Sequence, residues 1–254
     1  MFSSFFDKTK KAADFSLDIL FPKNCLSCHR EGFYVCPECF AKIPVQKSFY
    51  CYICGRRSPE GKTCHSCKLK TGSALSGLLV ASNWNNLLIR QMIYECKYRF
   101  IKDLGALLGD LLILFLNQSG FFRQYAFSNP EFFLLVPVPL HRRRSVWRGF
   151  NQTELIAVQL NKHLKIPAAK HLLKRTRHTP PQMDIADKLA RIQNVKNAFQ
   201  LDPDLKTSEI TDIKNKIVIL IDDVCTTGST LEQCAQALKP LKPKEIWGLV
   251  VARG

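Results

Sequence analysis

Apolar positions along this chain recur at two different periods, and the changes of period mark its elements. Within residues 2–20, Phe2, Phe5, Phe6, Ala12, Ala13, Phe15, Ile19 and Leu20 are spaced as on one side of a helix, with Asp7 and Asp14 among the lysines opposite. This predicts a loose amphipathic helix that docks on the rest of the protein. Residues 75–82 read as a strand, and 86–98 and 102–117 as helices. A polar and aromatic connection over 118–130 leads to a continuous apolar run at 132–138, the pattern of a buried strand. Helical spacing returns at 151–164 and 184–195. Between them the basic stretch 174–182 ends in Pro180-Pro181-Gln182 and reads as an exposed loop. The β-branched run 217–221 predicts a buried strand, 229–238 a helix and 245–251 a last strand. Strands alternating with helices predict an α/β fold built on a mainly parallel twisted sheet.

Residues 25–67 break this pattern with four C-x2-C pairs: Cys25 and Cys28, Cys36 and Cys39, Cys51 and Cys54, Cys64 and Cys67. Each such turn aims two thiolates at one ion, and two turns close a tetrahedral site, so the four predict two structural zinc ions. Sequential pairing, with the first four cysteines on one ion and the last four on the other, is the simpler arrangement; spacing alone leaves an interleaved one open. Disulfides suit a chain without a secretory signal poorly, and no C-P run or clustered triad supports an iron–sulfur cluster. His29 and His65, beside the pairs, read as surface residues. The expected organisation is therefore an amphipathic helix at 1–24, a cysteine module at 25–72 and an α/β domain at 73–254.

The segment Val218-Ile219-Leu220-Ile221-Asp222-Asp223-Val224-Cys225-Thr226-Thr227-Gly228-Ser229-Thr230 carries the chemistry. An apolar strand ends in two carboxylates, a loop of small residues follows, and a helix opens. Loop hydroxyls, backbone N–H groups and the helix dipole together make a phosphate cradle. Gly228 lets the backbone approach a ligand closely. Ligands of open α/β sheets bind at the carboxyl ends of strands, which is where this segment lies. Acidic groups beside a phosphate cradle make sense for a ligand that also carries a diol. A plain strand–turn–helix with capping threonines is the bland alternative. The ending Gly-Lys-Ser/Thr of a P-loop and the dinucleotide pattern G-x-G-x-x-G are both missing. Cys225, Cys96 and Cys234 read as packing residues, as do Trp84 and Trp147, although either indole has the surface to stack on a base.

This segment resembles the phosphoribosyl pyrophosphate (PRPP) fingerprint of type I phosphoribosyltransferases. The resemblance implies that Asp222 and Asp223 hold the ribose 2′- and 3′-hydroxyls and that Thr226, Thr227, Gly228, Ser229 and Thr230 hold the 5′-phosphate. Further stretches narrow the family: Val136-Pro137-Val138-Pro139-Leu140-His141-Arg142-Arg143-Arg144, Arg148-Gly149-Phe150-Asn151-Gln152, Arg175-x-Arg177-x-Thr179-x-Pro181-Gln182, Arg191-x-x-Asn194, Ala198-Phe199 and Lys97-Tyr98-Arg99. Together with the cysteines they resemble the competence protein F (ComF) family, a double zinc ribbon ahead of a type I phosphoribosyltransferase domain. The resemblance implies that Pro139, Leu140, His141 and Arg142 lie in the pyrophosphate loop, that Arg175 and Arg177 lie in a loop that folds over the site, and that Mg²⁺ accompanies PRPP.

With 37 Lys and Arg against 21 Asp and Glu, the formal net charge is +16, which favours an anionic partner. Arg142, Arg143, Arg144 and Arg148 suit pyrophosphate, with a solvated or nucleic-acid-binding charge run as the alternative. Apolar residues make up 46% of the chain, so wholesale disorder is not expected. The longest apolar stretch, 104–116, is interrupted by Asp110 and is too short to span a bilayer. A cytoplasmic protein is expected. Three functions compete: a PRPP-binding protein assisting single-stranded DNA uptake in natural transformation, an active phosphoribosyltransferase acting on a nitrogenous base, and a zinc-ribbon adaptor for a competence helicase or recombination-mediator protein.

Overall fold

The computed structural model describes residues 22–125, 129–177, 195, 197–205 and 213–254. The helix expected over 2–20 lies outside them, as does the one over 184–195 except for Val195. Thr179, Pro181, Gln182, Arg191 and Asn194 lie outside them too. Contacts divide the chain into two compact units, Met1–Ile43 and Pro44–Gly254.

In the first unit, Asn24 and Glu31 form an antiparallel bridge, and a short helix, α1 (Pro37–Ala41), starts directly after Cys36. An ion pair of 2.6 Å joins Arg30 to Glu38, and Lys23 lies 5.7 Å over the Tyr34 ring. Both partners of the ion pair are exposed, so water screens it and it adds little to stability.

The second unit begins with the other cysteine pairs and helix α2 (His65–Thr71), then becomes an α/β domain. Four strands, β1 (Gly77–Asn83), β2 (Phe133–Pro137), β5 (Ile217–Cys225) and β6 (Glu245–Arg253), form one parallel sheet in the order β1-β6-β5-β2. The short strands β3 (Leu173–Arg175) and β4 (Phe199–Leu201) pair antiparallel in a second sheet. The β3 strand occupies part of the stretch expected to be a loop. It forms because Leu173 is buried and Arg175 sits 5.2 Å over the Phe199 ring, so apolar contact overrides the basic composition.

Alternate residues of the central strands face two apolar layers, as the two-residue repeat of a strand requires. One layer joins Val218 and Leu220 of β5 and Val250 of β6 to Leu231, Cys234 and Leu238 of helix α7 (Ser229–Leu238) and to Leu173 and Phe199. Among the described residues, helices α3 (Leu87–Tyr98), α4 (Asp103–Ser119) and α6 (Gln152–Leu164) account for most of the remaining helical mass, and α4 and α6 pack against one another. Asn86 and Asn151 cap α3 and α6 with their side chains. The buried Trp247 meets the Phe121 ring at 5.1 Å, and its indole donates to Glu245 at 2.6 Å. This gives Phe121, within the connection expected over 118–130, a packing role.

The structure departs from the expected elements in two places that matter for the site. The basic segment after β2 is not a loop throughout: Arg142–Arg148 form a helical stretch, α5, with His141 Nδ1 accepting from Arg143 N at 3.3 Å and Gly149 ending it in the left-handed region. The strand expected to stop at Ile221 runs on through the acidic pair to Cys225. It does so because β6 continues beside it, pairing Asp222 with Val250 and Cys225 with Arg253, whereas β2 has ended at Pro137 opposite Ile221.

Helix α4 approaches α6 through Gly105 and Gly109. A Cβ at Gly105 would lie 2.7 Å from Leu155 Cβ, and one at Gly109 would lie 2.7 Å from Gln159 Cβ. Gly105→Val is therefore expected to force these helices apart and to lower stability by about 1–3 kcal/mol, measured by urea unfolding of the metal-loaded protein.

Candidate functional site

The overhang of β5 beyond β2 builds the site. Because Pro137 pairs with Ile221 and Val138 N donates to Ile221 O at 2.9 Å, the segment 138–140 is brought alongside the acidic pair. Asn151 Nδ2 and Thr153 Oγ1 both donate to Val138 O, at 3.1 and 2.8 Å, which fixes the start of α6 to the same place.

Asp223 is 3% exposed. It accepts from Lys97 Nζ at 2.8 Å through one oxygen and from Gln152 Nε2 at 2.8 Å through the other. Arg148, itself buried, donates in turn to Gln152 Oε1. A buried charge needs both a counter-ion and hydrogen bonds, and Asp223 has both. Asp222 accepts from Asp223 N at 2.9 Å. Burial, and next the charge of Asp223, push the Asp222 carboxyl up to about 7, against the pull of Lys97 and Arg175. Burial lowers Arg175, and the charge of Arg144 lowers it further.

Thr226–Gly228 bend between β5 and α7, with Gly228 at φ +82°, a conformation that L side chains rarely adopt. Thr227 and Ser229 share a hydroxyl contact of 2.8 Å, and Ser229 N donates to Thr227 Oγ1 at 3.3 Å. The dipole of α7 favours an anion at this end.

One cleft gathers Pro139, Leu140, Asp222, Asp223, Thr226, Thr230 and Arg175, all expected from the sequence. It also takes in Arg144 and Arg148, two of the arginines grouped above for nucleic acid. His141, Thr227, Gly228 and Ser229 are not among its lining residues; His141 caps α5, and the other three shape the loop. Arg142, Arg143 and Arg177 are exposed and do not line it. Sequence reasoning missed Lys97, Tyr98, Trp147, Gln152 and Thr153 as lining residues. All but Thr153 lie in or beside the stretches 97–99 and 148–152, whose composition assigns them no partner. Trp147, expected to pack inside, is 59% exposed and meets Phe100 at 5.0 Å and Tyr98 at 6.5 Å; Tyr98 in turn meets Tyr94 at 5.0 Å. The cleft thus has an aromatic lip. Burial pushes the Cys225 thiol up to about 12, which leaves it a packing residue and not a nucleophile.

The cysteines form two groups of four, Cys25, Cys28, Cys36, Cys39 and Cys51, Cys54, Cys64, Cys67, and in each all four sulfurs lie within 4.8 Å of one another. Pairing is therefore sequential. Cys28 and Cys36 stand 3.6 Å apart at sulfur, and Cys54 and Cys64 stand 3.8 Å apart. A tetrahedron with Zn–S bonds of about 2.3 Å has S···S edges of about 3.8 Å, so the spacing fits zinc, whereas a disulfide would need about 2 Å. In each group a backbone N–H donates to a sulfur at 3.4 Å, Cys36 N to Cys25 and Cys64 N to Cys51. Neither His29 nor His65 belongs to these groups. Among the described residues, no helix is long and apolar enough to cross a membrane.

Comparison with known proteins agrees with this geometry. Residues 16–68 match the family model of a double zinc ribbon domain, and residues 154–254 match that of a phosphoribosyl transferase domain. The chain is 32% identical over 225 residues to competence protein F of Haemophilus influenzae, covering 86% of this chain and 90% of that protein. It is 30% identical over 211 residues to competence protein ComFC of Bacillus subtilis, covering 80% and 77%. It is also 30% identical over 201 residues to DNA utilization protein YhgH of Escherichia coli K12, covering 74% and 83%. With two four-cysteine sites, a parallel sheet carrying an acidic pair above a phosphate-type loop, and relatives matched over most of their length, the chain belongs to the competence protein F family.

Proposed function

We propose that this protein binds Mg²⁺–PRPP in the cleft at the end of β5 and assists the uptake of single-stranded DNA in natural transformation. One observation carries the ligand assignment: a pair of carboxylates and a phosphate-type loop share a cleft with Arg144 and Arg175. Asp222 and Asp223 would accept the ribose hydroxyls. The loop 226–230 and the first turn of α7 would hold the 5′-phosphate, and Arg144 and Arg175 would face the pyrophosphate. The oxygen donors lining the cleft, the Asp222 carboxylate with the Thr226 and Thr230 hydroxyls, suit a hard cation held chiefly by ligand oxygens and water. Mg²⁺ bound there would neutralise charge on pyrophosphate.

The same residues supply what transfer to a nitrogen base requires. The C1–O bond to pyrophosphate breaks and a C1–N bond forms, through a transition state with positive charge on the ribose. The acidic pair faces that charge, and the arginines face the leaving group.

Calorimetric titration of Mg²⁺–PRPP is expected to show one site per chain in the wild type and no binding in Asp222→Asn/Asp223→Asn. A folded, metal-loaded wild type that fails to bind would defeat the assignment. The affinity should also depend on pH. Asp222 is held near 7 by burial and by Asp223, so it is partly protonated at neutrality, and ribose hydroxyls donate to its ionised form. Binding then expels a proton, and affinity rises as pH increases through about 7. In Asp222→Asn this component should vanish, leaving only the titration of the ligand's phosphates.

A specific observation supports the nucleic-acid part: the lip of Tyr94, Tyr98, Phe100 and Trp147 is exposed and stands beside Lys97 and Arg144 on a chain of net charge +16. Exposed rings among cations are what unpaired bases and their phosphates require. The names of the relatives, competence proteins and a DNA utilization protein, point the same way. Single-stranded DNA affinity should fall steeply with salt, and Trp147→Ala should cost ~1–3 kcal/mol of binding. A flat salt response, or an unaffected variant, would overturn this part.

A further inference from the structure

We propose that Tyr52 makes the second cysteine cluster a working part of the phosphate site, positioning the 226–230 loop so that metal occupancy at Cys51, Cys54, Cys64 and Cys67 sets the affinity for the phosphoribosyl ligand. The proposal rests on the reading of the cleft as a PRPP site.

Tyr52 sits between Cys51 and Cys54, in the turn closed by Gly55 N donating to Cys51 O at 2.9 Å. Tyr52 is 5% exposed. It is held at three points. Arg253 Nη2 donates to Tyr52 O at 2.6 Å, which fastens the turn to the end of β6. The ring lies against the phosphate loop: a Cβ on Gly228 would come 2.8 Å from Tyr52 Cδ2 and 2.9 Å from Cε2. Gly228 is thus glycine for two reasons, its φ of +82° and the ring packed where a side chain would begin. The hydroxyl donates to Glu232 Oε2 at 2.8 Å, inside the first turn of α7.

Glu232 collects the other half of the cluster as well. Ser73 Oγ donates to its Oε2 at 2.8 Å, and Ala74 N donates to its Oε1 at 2.8 Å. Ser73 and Ala74 follow α2, the helix that carries Cys67. The Tyr52 and Ser73 hydroxyls stand 2.7 Å apart on the same carboxylate. Both cysteine turns of this cluster therefore reach the first turn of α7, one through Tyr52 and one through α2.

The coupling is mechanical and local. With a metal on the four sulfurs, the 51–54 turn has one shape, and the Tyr52 ring braces Gly228 from behind. Without the metal, the four sulfurs, all within 4.8 Å of one another, lose the ion that ties them together, and the turn keeps only its hydrogen bonds. The ring is then free to leave, and the loop backbone that must meet the 5′-phosphate loses its support. Linkage makes the effect reciprocal: ligand on the loop must tighten the metal at this cluster by the same factor.

The test uses the full-length, zinc-loaded protein and two variants, Tyr52→Phe and Tyr52→Leu. Two quantities are measured for each: Mg²⁺–PRPP affinity by calorimetry, and the rate of zinc release to a chromophoric chelator with and without PRPP. In the wild type, PRPP should slow zinc release from one of the two sites. Tyr52→Leu, with two zinc ions still bound and an unchanged circular dichroism spectrum, should bind PRPP about 5- to 150-fold more weakly, the usual range of coupling between sites, and should lose the effect of PRPP on zinc release. Tyr52→Phe keeps the ring on Gly228 and should fall between the two. A residue that merely stabilised the fold would leave the PRPP dependence of zinc release intact. Wild-type binding with no PRPP effect on zinc release, or equal affinity in all three proteins, overturns the proposal while leaving the phosphoribosyl site standing. No PRPP binding by the wild type overturns both. Should Tyr52→Leu fail to fold, Tyr52→Phe and the wild-type release experiment decide the matter.

Discussion

The bonding of Asp223 is the constraint on which the rest of the cleft depends. A carboxylate taken out of water loses several kcal/mol of hydration, which only a close counter-ion and well-aligned donors offset. Lys97 comes from the last turn of α3 and Gln152 from the first turn of α6, and each meets a different oxygen of Asp223 at 2.8 Å. One ionised group therefore locks two helices against the end of one strand. With both oxygens of Asp223 engaged inside the protein, its neighbour Asp222 lines the cleft beside it.

That arrangement is possible only because β5 outlasts β2. The register that sets Pro137 opposite Ile221 ends one neighbour just before the acidic pair, while β6 supports the other edge as far as Cys225. The pair is thus held with strand rigidity and yet opens on a cleft. The segment after β2 turns into α5 and brings Arg144, Trp147 and Arg148 to the same mouth. Acid, base and aromatic surface are gathered around one strand end, as open parallel sheets generally arrange their ligands.

The cysteine clusters answer a different need. A segment of about 20 residues buries too little apolar surface to hold a shape by itself, and four thiolates on one ion replace the missing core. The second cluster packs within the same compact unit as the sheet, and its Tyr52 and α2 both end on Glu232. A metal site that stabilises a ribbon is thereby joined to the helix that opens after the small-residue loop of the cleft.

The sequence by itself determined whatever depends on neighbours a few residues apart. The helix of 229–238 and the strands near 77, 133, 217 and 245 follow from apolar periodicity, and the C-x2-C turns and the small-residue loop after Asp223 follow from local geometry. The zinc sites were legible for the same reason, since a zinc knuckle is a local conformation with the right side chains. The tertiary structure alone decided what meets across the sheet. Lys97 finds Asp223 at a separation of 126 residues, and Tyr52 finds Glu232 at a separation of 180. Neither pairing has a local signature, because each depends on strand order and register. The extension of β5 through two aspartates ran against their low strand propensity and was settled by pairing with β6. The exposure of Trp147 was likewise settled by where α5 ends on the surface, a matter of packing and not of the residue's own preference for the interior.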